Sequence, residues 1–398
     1  MFDLSTHKRF KYLLFSSLYF SEGLYQGLIL IVTPLYLLDK GVSLPLVTLI
    51  GGIGYLPWGL KFVWGGIIDI YHKYGRKKFA IAGTIFGAIG FFSLAVIDQF
   101  FSVVFFAIFL FIGYTGVGFL DSATDAWAID ISKKEDRGKI NSSMNIGNWI
   151  GQYAGALMII IIGAAFGYNI SFMITGLIIF FLVIVPFTVK YERKIGKLQV
   201  WSLIKQEFKK RITKLTTLYF FIIVLQHALY ITLIVAYLKV VLNLDNTFIG
   251  FLYVFWLIVV IPGSIIGGVL ADKYGRKIPL YIFLIALMVA SITPIFFTNF
   301  YLIVAAFGIV LFFMNGVIAP NWAMVMDIIN PKISASEHEI ICSIVNFGGI
   351  VIGSSTGTLI VLLGFNNLFL LSAIIIVIAL VVFYKIKDVD KIKWEPIS

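Results

Sequence analysis

From residue 12 to residue 384 the sequence repeats one pattern: an apolar stretch, then a short connection, with Lys and Arg gathered in every second connection. About 20 apolar residues in a helix cross the roughly 30 Å hydrocarbon core of a bilayer. On that rule twelve spans are expected, at 12–37, 46–69, 79–97, 101–130, 140–163, 169–189, 215–238, 247–271, 279–297, 300–327, 339–363 and 366–384. Lipid offers no hydrogen bonds, so backbone crossing it must satisfy its own polar groups, and helices do so within one segment. Composition agrees: 60% of residues are hydrophobic, against about 45–50% in a soluble domain. Few residues remain for an aqueous domain, and the expected class is an all-α membrane protein.

Cations in short loops stay on the cytoplasmic side of a membrane. With the N-terminus inside, 28 of the 31 Lys and Arg residues fall there, including nine between Lys190 and Lys214. Lys40 and Lys239 face out, and Lys61 lies within a span. The expected location is therefore the cell membrane, multi-pass, with both termini cytoplasmic. A net charge of +11 would suit a nucleic-acid binder, but these cations are spread over successive loops rather than gathered on one face. Cys342 stands alone, which excludes an internal disulfide and fits no metal pattern. The first apolar run lacks a small-residue cleavage site and reads as an uncleaved helix.

The connections repeat at long range. Gly268-Val-Leu-Ala-Asp272-Lys-Tyr-Gly275-Arg276-Lys277 is nearly copied by Gly65-Gly-Ile-Ile-Asp69-Ile-Tyr-His-Lys-Tyr-Gly75-Arg76-Lys77. Asp130 and Asp327 are 197 residues apart, Gly151 and Gly353 are 202 apart, and Pro57 and Pro262 occupy spans two and eight. Such internal symmetry is a mark of transporter folds. Each half holds six spans, and six is even, so both halves enter from the same side and the repeat is parallel. The expected division is an N-terminal bundle at 1–189, a cytoplasmic linker at 190–214 and a C-terminal bundle at 215–398. In the linker Trp201, Ile204, Phe208, Ile212 and Leu215 recur at helical spacing among cations. A helix lying on the inner membrane surface and a solvated linker both fit that pattern.

Six plus six spans with a Gly-x-x-x-Asp…Gly-Arg-Lys turn after spans two and eight resemble the major facilitator superfamily over essentially the whole chain. Asp130 followed by Arg137-Gly138 resembles the acidic residue and arginine that close the superfamily's fourth span. Leu56-Pro57-Trp58-Gly-Leu-Lys61-Phe-Val-Trp64 and Asp121-Ser-Ala-Thr-Asp125-Ala-Trp-Ala-Ile-Asp130 are similar to the branch of anhydromuropeptide permeases, acetyl-coenzyme-A transporters and folate/biopterin transporters. The resemblance implies twelve transmembrane helices in two parallel-related six-helix bundles, the major facilitator fold, and a transporter. The first copy of the turn carries two extra residues between Asp69 and Gly75. The second half has Asp327 but no matching arginine, only Glu337, His338 and Glu339.

Two groups of candidate residues follow. An inner gate would use Asp69, Arg76, Asp130, Arg137, Asp272, Arg276 and Asp327, with charge pairs and helix ends holding one state until the halves rock. A Gly-Arg-Lys turn that only anchors the chain inside is the bland alternative. The second group lies deep. At about 1.5 Å per residue, Lys61, Asp121 and Glu22 sit roughly 12–15 Å in from the inner ends of their spans, near the midplane. Asp125 lies one turn inward on the face of Asp121, and Gln26 one turn outward on the face of Glu22. A charge at that depth costs about 2.5–3.5 kcal/mol on insertion scales, so it marks a pathway or a pairing.

Three carboxyls against one ammonium cannot all be paired, so one holds a proton at neutral pH. A static bridge from Lys61 to Asp125 and an anion-binding role for Lys61 stay open. Span five offers Asn148 and Gln152 for interhelical bonds or substrate contact. The second half lacks charges at the matching offsets and offers Trp256, Asn315, Trp322 and Asn346 for shape. His227 is a titrating group or a packing histidine.

The function these features support is secondary active transport of a small polar or amphipathic organic solute by alternating access, coupled to protons. A passive uniporter and a flippase of lipids or lipid-linked sugars are the alternatives. No phosphate loop and no catalytic constellation occurs, so neither a pump nor an enzyme is expected. The expected partners are a small-molecule substrate, protons and the bilayer around a monomer, with no nucleic acid, cofactor or metal.

Overall fold

A computed structural model describes residues 8–71, 74–131, 137–189, 200–330 and 333–386. Among them, eleven helices are long and apolar enough to cross a membrane. The first ten are Phe10–Asp39, Leu44–Ile68, Arg76–Gln99, Val103–Ala128, Ser143–Phe166, Tyr168–Phe187, Arg211–Val241, Asn246–Tyr274, Lys277–Phe296 and Phe300–Ile328, spans one to ten. The last, Ser336–Tyr384, has 49 residues, about twice what one crossing needs. It breaks at Gly364 (φ 76, ψ 164), a conformation that costs glycine little because it has no Cβ. Spans eleven and twelve lie on either side, and the expected twelve crossings are present.

Both Gly-Arg-Lys turns use the same device. Gly75 and Gly275 have φ of 82° and 79°, so each chain reverses on a left-handed glycine before Arg76 and Lys277 open the next helices. The helix ends that carry these turns are called the basic-loop end below. In the linker the stripe does not form one helix. Val200–Glu207 is helical, Lys210 is extended (φ −64, ψ 133), and Arg211 starts span seven. Residues 190–199 lie outside the described ones. Glu207 is buried and accepts from Asn330 Nδ2 at 2.7 Å, which ties this helix to the end of span ten.

The chain forms two compact units. The first comprises residues 1–42, 50–197 and 245–254. Near the basic-loop end its core gathers Leu14, Phe15, Ile68, Leu120, Trp127 and Met144. At the other end Asp98 accepts from the Tyr36 hydroxyl at 2.5 Å and from the Asn169 backbone at 3.0 Å, with Lys40 Nζ 3.1 Å away. The second unit comprises residues 43–49, 198–244 and 255–398. There span seven packs on span twelve through Tyr219 and Phe383, ring centroids 4.8 Å apart.

Two local features position the deep residues of the first unit. Spans one and five meet on glycines: a Cβ on Gly23 would lie 2.1 Å from the Asn148 carbonyl, and one on Gly147 would lie 2.1 Å from that of Ser16. Backbones this close are the small-residue packing that lipid favours. Span two is broken in its middle. The helix runs Leu44–Gly59 with Pro57 inside it, turns at Leu60 and restarts at Lys61. The Trp64 indole donates to the Pro57 carbonyl at 2.9 Å and stabilises the break.

Candidate functional site

Lys61, the first residue after the break, is 4% exposed. Its ammonium forms an ion pair with Asp121 Oδ2 of span four, itself 3% exposed. The same ammonium stands over the Trp58 ring, 4.8 Å from its centroid. Trp58 stacks on Tyr114 at 5.2 Å and 19°, and Tyr55 lies 5.4 Å from Tyr114. Lys61 thus has an anion on one side and an aromatic wall on the other, and both stabilise a cation away from water. The sequence offered Asp125 as the partner of Lys61, and the ion pair seen here is with Asp121, one turn away on the same face. Asp125 accepts a hydrogen bond from the Tyr19 hydroxyl of span one.

Glu22 is 3% exposed, and its Oε1 accepts from Gln26 Nε2 at 2.7 Å and from Asn148 Nδ2 at 2.9 Å. The glycine seam makes the second bond possible by bringing span five against span one. Among the described residues no protein donor reaches Glu22 Oε2. The Glu22 carboxyl lies within hydrogen-bonding reach of that of Asp121, and Lys61 and Asp125 lie within electrostatic range. Two carboxyls that share a hydrogen bond hold one proton between them, because an ionised carboxylate only accepts. The arrangement can therefore store a proton beside a fixed cation. Asn148 takes the interhelical role that span five left open. Gln152 is half-buried and its carbonyl abuts Gly27, where a Cβ would come within 2.4 Å.

The candidates of the second unit have packing partners. His227 is buried, with Nδ1 2.9 Å from the Ile223 carbonyl and Nε2 3.2 Å from that of Met314. The Trp256 indole donates to the Val304 carbonyl at 3.3 Å, and Asn315 donates to the Leu311 carbonyl of its own helix at 2.8 Å. Trp322 packs edge-on against Phe220 at 4.7 Å and lies 5.4 Å from the His338 ring. Asn346 is half-buried in span eleven. Buried Asn321, two turns from Met314, accepts from the Tyr219 hydroxyl at 2.9 Å.

At the basic-loop end the missing arginine of the second half is supplied by the turn itself. Arg276 donates from Nε to Asp327 Oδ2 at 2.9 Å and from Nη1 to Asp272 Oδ1 at 2.7 Å, joining the ends of spans eight and ten. Burial opposes its charge, but the bonds to Asp327 and Asp272 outweigh this and hold the guanidinium above its ordinary pKa. In the first unit the side chains of Asp69, Asp130 and Arg137 lie outside the described ones, and the pairing of Arg76 is left with them. Lys77 donates to the Val189 carbonyl at 2.7 Å.

Sequence reasoning passed over Tyr19, Tyr55 and Tyr114. Tyr19 had a readable signal: it lies three residues before Glu22, on the same helical face. The tyrosines of the wall had none, because their depth depends on how spans two and four are staggered.

A twelve-span helical chain with a duplicated inner turn and a buried charge group defines a membrane transporter. The major facilitator superfamily profile matches residues 15–335 and 215–396, and the chain belongs to that superfamily. Its fold is similar to a bacterial homolog of the human lysosomal transporter Spinster in an inward-facing, unoccupied conformation, with TM-score 0.76, 12% identity, and 98% of this chain and 99% of that one covered. It is also similar to a D-xylose-proton symporter, with TM-score 0.75, 15% identity, and 97% and 100% covered. The protein is a multi-pass transporter of a small-molecule substrate, not an enzyme.

Proposed function

We propose that the protein is a proton-coupled secondary transporter of a small polar or amphipathic organic solute, working by alternating access as a monomer in the cell membrane with both termini cytoplasmic. The observation that carries this reading is the Glu22–Asp121 contact beside Lys61. Its carboxyls and single ammonium balance in charge only with a proton bound, and a conformational change that separates Asp121 from Lys61 or from Glu22 changes how tightly that proton is held. The neighbouring aromatic wall suits a solute with an apolar part. The likeness to a symporter that moves protons is consistent with this, and the residues Leu56–Trp64 and Asp121–Asp130 support a place in the anhydromuropeptide permease, acetyl-coenzyme-A and folate/biopterin transporter branch. Gln152, His227, Trp256, Asn315, Trp322 and Asn346 are proposed to shape the solute path, and the Arg276 triad with Asp69, Arg76, Asp130 and Arg137 the inner gate.

The test begins with thermal stabilisation of purified protein by a library of carboxylates, sugars including D-xylose, amines and peptides. Compounds that stabilise are then added to proteoliposomes that hold a pH-sensitive dye. Solute-dependent proton movement, abolished in Glu22→Gln, is expected. Solute uptake without proton movement for several compounds points to a uniporter and ends the coupling proposal.

A further inference from the structure

Tyr19 and Glu22 of span one face Asp125 and Asp121 of span four, in antiparallel order, as two rungs between the helices. On the upper rung Glu22 meets Asp121. On the lower rung the Tyr19 hydroxyl donates to Asp125 Oδ1. A carboxylate oxygen of Asp125 lies within 4.8 Å of one of Asp121, a gap that a single hydroxyl can bridge. The upper rung is almost closed to solvent, whereas Asp125 is only half-buried and lies one turn nearer the basic-loop end. A proton bound between Glu22 and Asp121 has no direct neighbour in water, but it has Tyr19 below it.

We propose that Tyr19 relays the coupling proton between the Glu22–Asp121 pair and Asp125, which makes Asp125 the exit toward the basic-loop end. This rests on the proton-coupled reading above and adds to it a path and a residue. A tyrosine hydroxyl both donates and accepts. As its own proton passes to the Asp125 carboxylate, its oxygen takes the proton from the carboxyl pair. One O–H bond breaks and one forms at the tyrosine, which ends neutral. Asp125 ends as a carboxylic acid and releases its proton to water, and the hydroxyl rotates back toward Asp125. No oxidant or cofactor enters the balance. Among the described residues of the first unit, the titratable groups around the pair include Lys61, Asp125, Tyr19, Tyr55 and Tyr114, from spans one, two and four. Span five presents the neutral amide of Asn148.

The proton itself is the probe, so no substrate is needed. Full-length protein in proteoliposomes is subjected to a pH jump while the infrared band of protonated carboxyls is followed in time. The band that Glu22→Gln removes reports the pair. In Tyr19→Phe that band is expected to reach the wild-type amplitude at a rate lower by roughly a hundredfold, the low side of what a positioned acid–base group contributes. Asp125→Asn is expected to slow it similarly, and serves as the test if Tyr19→Phe lowers the thermal midpoint. A wild-type rate in both variants, or a lost amplitude in Tyr19→Phe, overturns the relay. Absence of any band removed by Glu22→Gln overturns the proton-coupled reading instead, so the two failures are told apart.

Discussion

Lys61 is held by the Asp121 carboxylate and by the face of Trp58. Removing one member of a buried ion pair costs about 3–5 kcal/mol because the other charge is stranded. Lys61→Met is therefore expected to lower the thermal midpoint of the purified protein. The double variant Lys61→Met/Asp121→Leu, which strands neither charge, is expected to recover much of the loss without restoring uphill transport. A double variant less stable than Lys61→Met would show that Asp121 has a stabilising role apart from the pair. That Lys61, Glu22 and Asp121 share a level was legible from residue counting, because a helix converts position into height, and the fold buries all three together. Their pairing was not. Which acid stands against Lys61 depends on how spans two and four are staggered across the break at Leu60, and sequence spacing carries no measure of that.

At the scale of helices, the spans were legible because bilayer thickness fixes their length, and the Gly-Arg-Lys turns because only glycine readily adopts the positive φ they need. The seam between spans one and five was less so, although Gly23 and Gly27 mirror Gly147 and Gly151 at four-residue spacing. Gly23→Ala would drive a Cβ to 2.1 Å from the Asn148 carbonyl, and overpacking of this kind costs about 1–3 kcal/mol. It is expected to lower the thermal midpoint and to weaken proton coupling by drawing Asn148 away from Glu22. Gly66→Ala, whose Cβ would meet nothing within 4 Å, is the control and should change neither. The Arg276 triad was hidden for a different reason. The repeat leads one to expect an arginine after Asp327, and the fold instead brings Arg276 from the turn after span eight. Asp272 is 77% exposed and Asp327 36%, and exposed ion pairs contribute little. Asp327→Asn should therefore lower stability more than Asp272→Asn. Arg276→Lys should resemble Arg276→Gln, since an ammonium lacks the planar fork that reaches both carboxylates. Equal effects of the two Asp variants would place the bond to Asp272 on a par with the bond to Asp327.

For the whole molecule, orientation rests on a charge count in which 28 of 31 basic residues share one side. Within the first unit the basic turn at Gly75 and Lys40 lie at opposite ends of the spans, and within the second unit so do the turn at Gly275 and Lys239. The chain also allows a direct check, since its single cysteine, Cys342, is buried and 3% exposed. In a Cys342→Ser background, Ser43 between spans one and two and Lys273 at the end of span eight are both exposed positions for a new thiol. A membrane-impermeant maleimide applied to intact cells is expected to label Ser43→Cys at once and Lys273→Cys only after permeabilisation. The opposite order would invert the topology, and with it the side to which Asp125 releases its proton.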